Sequence, residues 1–248
     1  MLLARLIVIA RRSLRVTGTD RLIRRLRVAG RALGRLRPRP RSYRDVVSDY
    51  AQYESLQKGK YCSFESAMPN WEEGQRRYLD AMLVALDRKL RILDIACGDG
   101  VGLRHFKTLG FSEVVGVEFS REKAEIARRT GYRVEESDMH DLGIFSDGDF
   151  DVIYSSHTLE HAYQPRRVVR ELRRLLRAGG RLFVVLPYPD PPNPANDEAH
   201  GGKYELGTDR TDGGKTVTRF FVEQGFAIKD VRFDQFREPE IWLSLERS

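Results

Sequence analysis

Residues 91–102 read RILDIACGDGVG, and the organisation of the rest of the chain follows from them. Arg91–Ala96 is a short apolar run closed by a glycine-rich turn, the pattern of a buried strand. Gly98, Gly100 and Gly102 let the backbone bend sharply and approach a ligand closely. The N–H groups of the turn, with the start of a helix predicted over Val101–Leu109, can hold an anionic group. No Gly-Lys-Ser/Thr follows, so this is not a Walker loop. Its G-x-G-x-G spacing also differs from the G-x-G-x-x-G of dinucleotide loops.

Working outward, Glu113–Phe119 reads as a second strand. Ser120 is a partial helix cap, because Lys123 stands where a capping box prefers Glu. That helix runs to Thr130 and Gly131 ends it. Tyr132–Ser137 and Phe150–Ser156 are the third and fourth strands. Pro165 starts a helix through Arg177, which Ala178-Gly179-Gly180 is expected to stop. Arg181–Leu186 is the fifth strand, and 187–211 is a polar, Pro-rich stretch. Asp212–Gln224 reads as a helix, and Phe226–Phe236 and Glu240–Glu246 as the last two strands. Upstream, Tyr43–Leu56 and Trp71–Leu86 read as helices around an aromatic-bearing loop, Gly59–Asn70. Strands alternating with helices imply βαβ units in a mostly parallel sheet. The short link at Glu238-Pro239 permits only an antiparallel final pair. The prediction is an α/β fold: a seven-stranded, mostly parallel sheet with a terminal antiparallel hairpin and helices on both faces. Ligands in such sheets bind at the carboxyl ends of the strands, near the switch point.

Three places at those ends carry chemistry. Asp94 opens the glycine loop, where it can also cap the turn. Glu118 lies 20 residues beyond Gly98, where a carboxylate can accept hydrogen bonds from both ribose hydroxyls. Asp138 can accept from an adenine amino group or cap a helix, and Met139 offers a backbone N–H and an apolar contact. Cys97 reads as a packing residue, since nothing nearby lowers its pKa. Cys62 and Cys97 form no CxxC pair, which argues against a disulfide framework or a cysteine zinc site.

In this order the elements resemble the class I S-adenosylmethionine methyltransferases, in the subgroup with D-x-A-C-G-x-G loops, over about residues 75–248. The resemblance implies a Rossmann-like fold with S-adenosyl-L-methionine as cofactor. Asp94, Ala96, Gly98 and Gly100 would surround its methionine part. Glu118 and Phe119 would take the ribose end, and Asp138 and Met139 the adenine. Ser155–His161, with Ser156, would face the acceptor. Leu176–Leu182 matches the family's L-x-P-G-G-x-L turn. Ala96 stands where many members have Gly, and Ala178 where many have Pro.

His157-x-x-Glu160-His161 also spells a metallopeptidase signature, but that needs a long helix, whereas here it follows a strand. Ubiquinone-pathway O-methyltransferases look similar at this segment, with E-x-x-E-H groups that can hold a divalent cation. Here His157 replaces the first acid, and Glu160 and His161 are expected to bond backbone at a helix start, with no metal. A hydroxyl acceptor needs a base; His157 is the first candidate and His161 the second. The 187–211 insertion, with Tyr188, Asp190, Asn193, His200 and Tyr204, suits a hydroxylated acceptor such as a sugar, or is a plain surface loop.

The net charge of +7 is unevenly spread. Residues 1–41 hold thirteen Arg and one acid, Asp20; the remainder holds 30 Lys+Arg against 35 Asp+Glu. Leu22, Leu26, Ala29, Leu33 and Leu36 at helical spacing among arginines make 21–36 a basic amphipathic helix. Such a helix lies on anionic membrane surfaces or packs on a partner. The longest apolar stretch of residues 1–41, around Leu2–Ala10, contains Arg5 and is far shorter than the ~18–20 residues that span a bilayer. The domain division expected is 1–41, a basic extension and linker, and 42–248, a methyltransferase domain. Within the latter, 42–90 is a helical cap and 187–211 an insertion over the acceptor. The expected enzyme methylates an oxygen of a small molecule or glycan in the cytoplasm, with possible peripheral membrane contact through 1–41. No nucleic-acid partner is expected, because the acidic domain lacks a phosphate-binding face. An oxidoreductase on a related sheet and a degenerate, non-catalytic module are the alternatives.

Overall fold

Continuous burial along the central strands decides how the chain layers. In the computed structural model, which describes residues 42–43, 47–60 and 64–248, seven strands form one sheet. They are β1 (Ile92–Ile95), β2 (Val114–Glu118), β3 (Arg133–Glu136), β4 (Phe150–Ser156), β5 (Leu176–Pro187), β6 (Phe226–Asp234) and β7 (Glu240–Arg247). Their order is β3-β2-β1-β4-β5-β7-β6. β1 to β5 pair in parallel, and β7 is antiparallel to both β5 and β6, as the short Glu238-Pro239 link requires. Ile92, Val152 and Phe183 point to one face, against Leu79 and Leu83 of α2 (Trp71–Leu83) and Phe106 of α3 (Val101–Thr108). Leu93, Ile153 and Val184 point to the other, against Leu172 of α5 (Pro165–Leu175) and Phe221 of α7 (Lys215–Glu223). With α4 (Arg121–Ala127) beside α3 in the first cluster, the sheet is covered on both faces, as buried parallel strands require.

The structure corrects several local expectations. The first described helix, α1, covers Tyr50–Lys60 and not Tyr43–Leu56. Tyr43 is instead buried, and its hydroxyl donates to the Ala199 carbonyl. Helix α5 stops at Leu175, before Ala178-Gly179-Gly180, because Leu176 is already extended. Those three residues instead carry β5 through a register shift opposite Phe150–Val152, with Gly179 at φ +69°; they form a bulge, not a helix stop. Ser120 makes no side-chain cap bond; its N–H is taken by Glu118. The basic extension and its amphipathic helix lie outside the described residues. Among the described residues, no helix is long and apolar enough to cross a membrane.

The 187–211 insertion is packed, not draped. It contains the single turn α6 (Lys203–Leu206). Lys203 is fully buried and pairs with Asp190 at 3.1 Å and Asp197 at 2.9 Å. Gly202 sits on the turn Leu159–His161: its N–H donates to the Glu160 carbonyl at 2.9 Å. A Cβ there would stand 2.7–2.8 Å from the Leu159, Ala162 and Glu160 carbonyl oxygens. The Gly202→Ala variant should therefore lose about 1–3 kcal/mol in urea unfolding, the cost of forcing a methyl group into a filled site. A variant as stable as the parent would show that the insertion does not bear on this turn.

Candidate functional site

One cavity of about 340 Å³ opens at the carboxyl ends of β1, β2 and β4, on either side of the switch point where β1 lies between β2 and β4. The parallel register carries the Asp94 loop to Glu118. Glu118 accepts the Gly98 N–H at 2.9 Å and the Ser120 N–H at 2.8 Å. The loop turns through positive φ at Ala96 (55°), Gly98 (57°) and Gly100 (85°). Ala96 pays a steric penalty for that conformation of about 1–2 kcal/mol. Ala96, Gly98, Glu118, Phe119, Asp138, Met139 and Ser156 all line the cavity, as does Asp94. Gly100 does not; it bends the chain into α3, with the Ala127 Cα 3.1 Å from where a Cβ would be. Cys97 packs its sulfur toward Gly116, and burial pushes its thiol pKa up, as expected of a packing residue.

The charges fit a ligand that brings hydrogen-bond donors and a cation. Burial first, and the neighbouring Glu118 second, raise the Asp94 carboxyl well above its usual range. Its Oδ2 accepts no hydrogen bond, and it stands 2.8 Å from where a Cβ on Gly102 would lie. Burial also raises Glu118, against the pull of the Ser120 N–H and Lys123. An ammonium group at Asp94 and ribose hydroxyls at Glu118 would satisfy both. S-adenosylmethionine carries these groups, so the residues fit it. Asp138 is already engaged: it accepts from the His140 N–H at 2.8 Å, contacts His140 Nδ1 at 2.7 Å and takes the Tyr50 hydroxyl. Burial raises its carboxyl, but the bonds from His140 and Tyr50 outweigh this and hold it below its usual value.

The cap upstream of the sheet supplies residues that the sequence did not single out. Glu65 pairs with the nearly buried Lys123 at 2.5 Å and accepts the Asp99 N–H at 3.2 Å. Gln75 donates to Ser156 Oγ at 2.8 Å and accepts from the Tyr154 hydroxyl. The Trp71 ring lies 5.3 Å from His157 and 4.4 Å from the Arg237 guanidinium. Lys123, in the place a capping box gives to Glu, was the one legible trace of these contacts.

At the far end of the cavity the two histidines separate in role. His157, at φ 50°, lies between Glu240 (Nε2–Oε1 3.0 Å) and Glu160 (Nδ1–Oε1 3.6 Å), with Glu238 at 3.7 Å. Burial lowers its pKa, but Glu160 and Glu240 outweigh this and raise it to about 9. The carboxylates, with the Arg237 guanidinium 3.0 Å from Nε2, engage the ring on both nitrogens, which weighs against the base role expected of His157. His161 donates from Nδ1 to the Ala199 carbonyl at 3.0 Å, which places the lone pair on Nε2. Burial outweighs the pull of Glu160 and lowers its pKa to about 4. The Glu160 side chain bonds no backbone, contrary to expectation: neither oxygen accepts a hydrogen bond, although the residue is fully buried. Ligand atoms of His157, Glu238 and Glu240 lie within 4.8 Å of one another. Arg237 already supplies the cation there, 3.0 Å from His157 Nε2 and 3.5 Å from Glu240 while also bonding Glu238. The segment Leu159–His161 is a single 3₁₀ turn, which excludes the metallopeptidase reading. Of the polar insertion residues, His200 reaches the cavity, with Asp190 at its Nδ1. Asp190 and Tyr204 hold the insertion together, Tyr188 ties it to Asp212, and Asn193 is exposed.

A sheet in this order, with a buried acid ending β2 and a glycine loop after β1, defines a class I methyltransferase fold. Residues 93–184 match the methyltransferase domain family. Over 102 residues the chain is 32% identical to a ubiquinone biosynthesis O-methyltransferase of Xanthomonas oryzae pv. oryzae, covering 38% of this chain and 41% of that protein. Over 152 residues it is 31% identical to the 27-O-demethylrifamycin SV methyltransferase of Amycolatopsis mediterranei, covering 55% and 54%. The matches thus span about half or less of these relatives' lengths. An S-adenosylmethionine-dependent methyltransferase from Mesorhizobium loti shares the fold, with a TM-score of 0.56 at 23% identity over 73% of this chain and 99% of that one. Residues 93–184 are thus similar to a methyltransferase domain, and the described residues share the fold of an S-adenosylmethionine-dependent methyltransferase.

The raised pKa of His157 makes a pH prediction. Its pKa is raised on folding, so its contribution to stability is complete below about pH 6.5 and is lost as pH rises through about 9. His157→Gln should therefore lower the urea midpoint at pH 6 and much less at pH 9.5. An equal loss at both pH values would show that the ring is uncharged.

Proposed function

We propose that this protein transfers a methyl group from S-adenosylmethionine to a hydroxyl oxygen of a small molecule or glycan, with His161 as general base. The observation that carries the reading is the cavity itself. It joins the Glu118–Gly98 donor loop at one end to a neutral histidine at the other. S-adenosylmethionine supplies, when bound, a methyl group on a positively charged sulfur that an oxygen nucleophile can displace. Asp94 and Glu118 would hold its ammonium and ribose groups. Gln75, tied to Ser156 and Tyr154, fixes the floor between the two ends. His161 accepts the hydroxyl proton at Nε2, and its Nδ1–H bond to Ala199 keeps the ring aimed. The burial that keeps His161 neutral also makes it a weak base. A weak base suffices, because the hydroxyl proton becomes strongly acidic as its oxygen is alkylated. The names of the relatives from Xanthomonas and Amycolatopsis support oxygen as the methylated atom.

Glu118→Ala should weaken S-adenosylmethionine binding about 10- to 100-fold, since it removes charge-assisted bonds from the loop and the ligand. His161→Ala should lower kcat about 100- to 10,000-fold with little change in cofactor affinity. Because His161 must be neutral, kcat should hold level from pH 7 to 5.5 and fall as pH drops through about 4. Full activity in His161→Ala would remove the base assignment and leave the cofactor assignment standing.

A further inference from the structure

Two features that methyl transfer leaves unused meet at the mouth of the cavity. The first is a pair of aromatic rings in water. Among the large apolar side chains exposed in the described residues, the aromatic ones are Phe233 (54% exposed) and Phe236 (43%). An exposed apolar side chain is ordinary by itself, so its place decides whether it matters. Phe233 lies near the end of β6 and Phe236 in the link to β7. The next two residues, Arg237 and Glu238, line the cavity, so Phe236 stands on its rim. The Arg77 guanidinium covers the Phe236 ring at 4.7 Å and pairs with Asp234 at 3.0 Å. Arg237 lies over Trp71, another residue of the cavity wall. Aromatic rings interleaved with arginines suit the boundary between lipid headgroups and acyl chains.

The second feature is the charge of the chain upstream. Residues 1–41, which lie outside the described residues, hold thirteen Arg and one acid, with Leu22, Leu26, Ala29, Leu33 and Leu36 at helical spacing among them. This segment joins the domain at Ser42–Tyr43. Tyr43 is buried, and its ring packs on Tyr53 at 5.3 Å; Tyr53 lines the cavity. The basic segment is thus tethered one ring away from the cavity wall. Tyr43 also lies 6.0 Å from Tyr163, just before α5, where Arg167 is exposed and makes no ion pair among the described residues. An anionic bilayer answers both features. Its headgroups take the arginines, and its acyl boundary takes the leucine stripe and the two phenylalanine rings. A nucleic acid would take the arginines alone and leave the leucines in water. The surplus of acids in residues 42–248 would also oppose its backbone.

We infer that this protein docks on an anionic membrane surface through residues 1–41 and the Phe233–Phe236 rim, with the mouth of the cavity toward the lipid. The two parts act differently. The arginines supply an attraction that salt screens. The rings supply insertion into the apolar boundary, which holds the rim against the surface. The inference uses no residue of the donor loop or of the His161 turn, so it stands or falls apart from the methyltransferase reading.

The test is sedimentation of the full chain with vesicles of phosphatidylcholine, either alone or with about a third phosphatidylglycerol, an anionic lipid. The chain should sediment with the anionic vesicles at low salt and not with the neutral ones. Added salt should weaken binding, because it screens the arginines. Phe233→Ser/Phe236→Ser should weaken it about 10-fold or more, through the loss of two rings from the apolar boundary. A second variant reads the contact directly. Lipids brominated in the acyl chain should quench the fluorescence of Phe236→Trp beyond any quenching of Trp71 and Trp242 in the parent. No sedimentation with anionic vesicles at low salt would overturn the inference, as would equal sedimentation with neutral ones. Absence of added quenching in Phe236→Trp would overturn it whatever the double variant shows, since residues 1–41 would then bind alone. Displacement of the chain from the vesicles by an equal mass of single-stranded oligonucleotide would overturn it in favour of a nucleic acid.

Discussion

The pair of hydrogen bonds from the Gly98 and Ser120 backbone to the Glu118 carboxylate is the constraint on which the donor site depends. It exists because β1 and β2 pair in parallel with Ile95 opposite Val117, so that both strands end at one level. The loop after β1 then has to turn at once, through positive φ at Ala96, Gly98 and Gly100. Its amide groups point toward the acid closing β2. The parallel sheet, the short glycine loop and the buried acid are thus one device. None of the three would hold its shape without the others.

Around this device the chain places charges at odds with their surroundings. Asp94 and Glu118 are buried carboxyls that burial drives toward protonation. Glu160 is a buried carboxylate whose pKa is held low against the effect of burial, with His157 Nδ1 3.6 Å away. Such groups cost stability in the ligand-free fold. Two segments outside the parallel strands hold them in place. The cap bears on the loops through Glu65, Gln75 and Trp71, and the insertion bears on the His161 turn through Gly202 and the Ala199 carbonyl. The insertion is itself fastened by buried Lys203 between Asp190 and Asp197.

The sheet was legible because its signals are local. Apolar runs of four to seven residues, glycines at loop entries and the short Glu238-Pro239 link gave all seven strands, within a residue or two for most. The cavity-lining Gly98 and Glu118 were legible for a related reason, since Gly98 lies in the loop after β1 and Glu118 closes β2. The rest depends on contacts distant in sequence. His157 was read as a base because it follows β4, in the segment that the resemblance turns toward a hydroxyl acceptor. Its ring also meets Glu240, which arrives 83 residues later on β7. Gln75 meets Ser156 across 81 residues, and Glu65 meets Asp99 across 34. The Ala178-Gly179-Gly180 turn misled in a different way: glycines permit both a helix stop and a strand bulge, and the pairing with β4 chose the bulge.

The donor site is the centre of this account, and calorimetric titration of the full chain with S-adenosylhomocysteine and, separately, with a nicotinamide dinucleotide tests it most directly. The account predicts one S-adenosylhomocysteine site per chain and no dinucleotide binding. Dinucleotide binding without S-adenosylhomocysteine binding would contradict it.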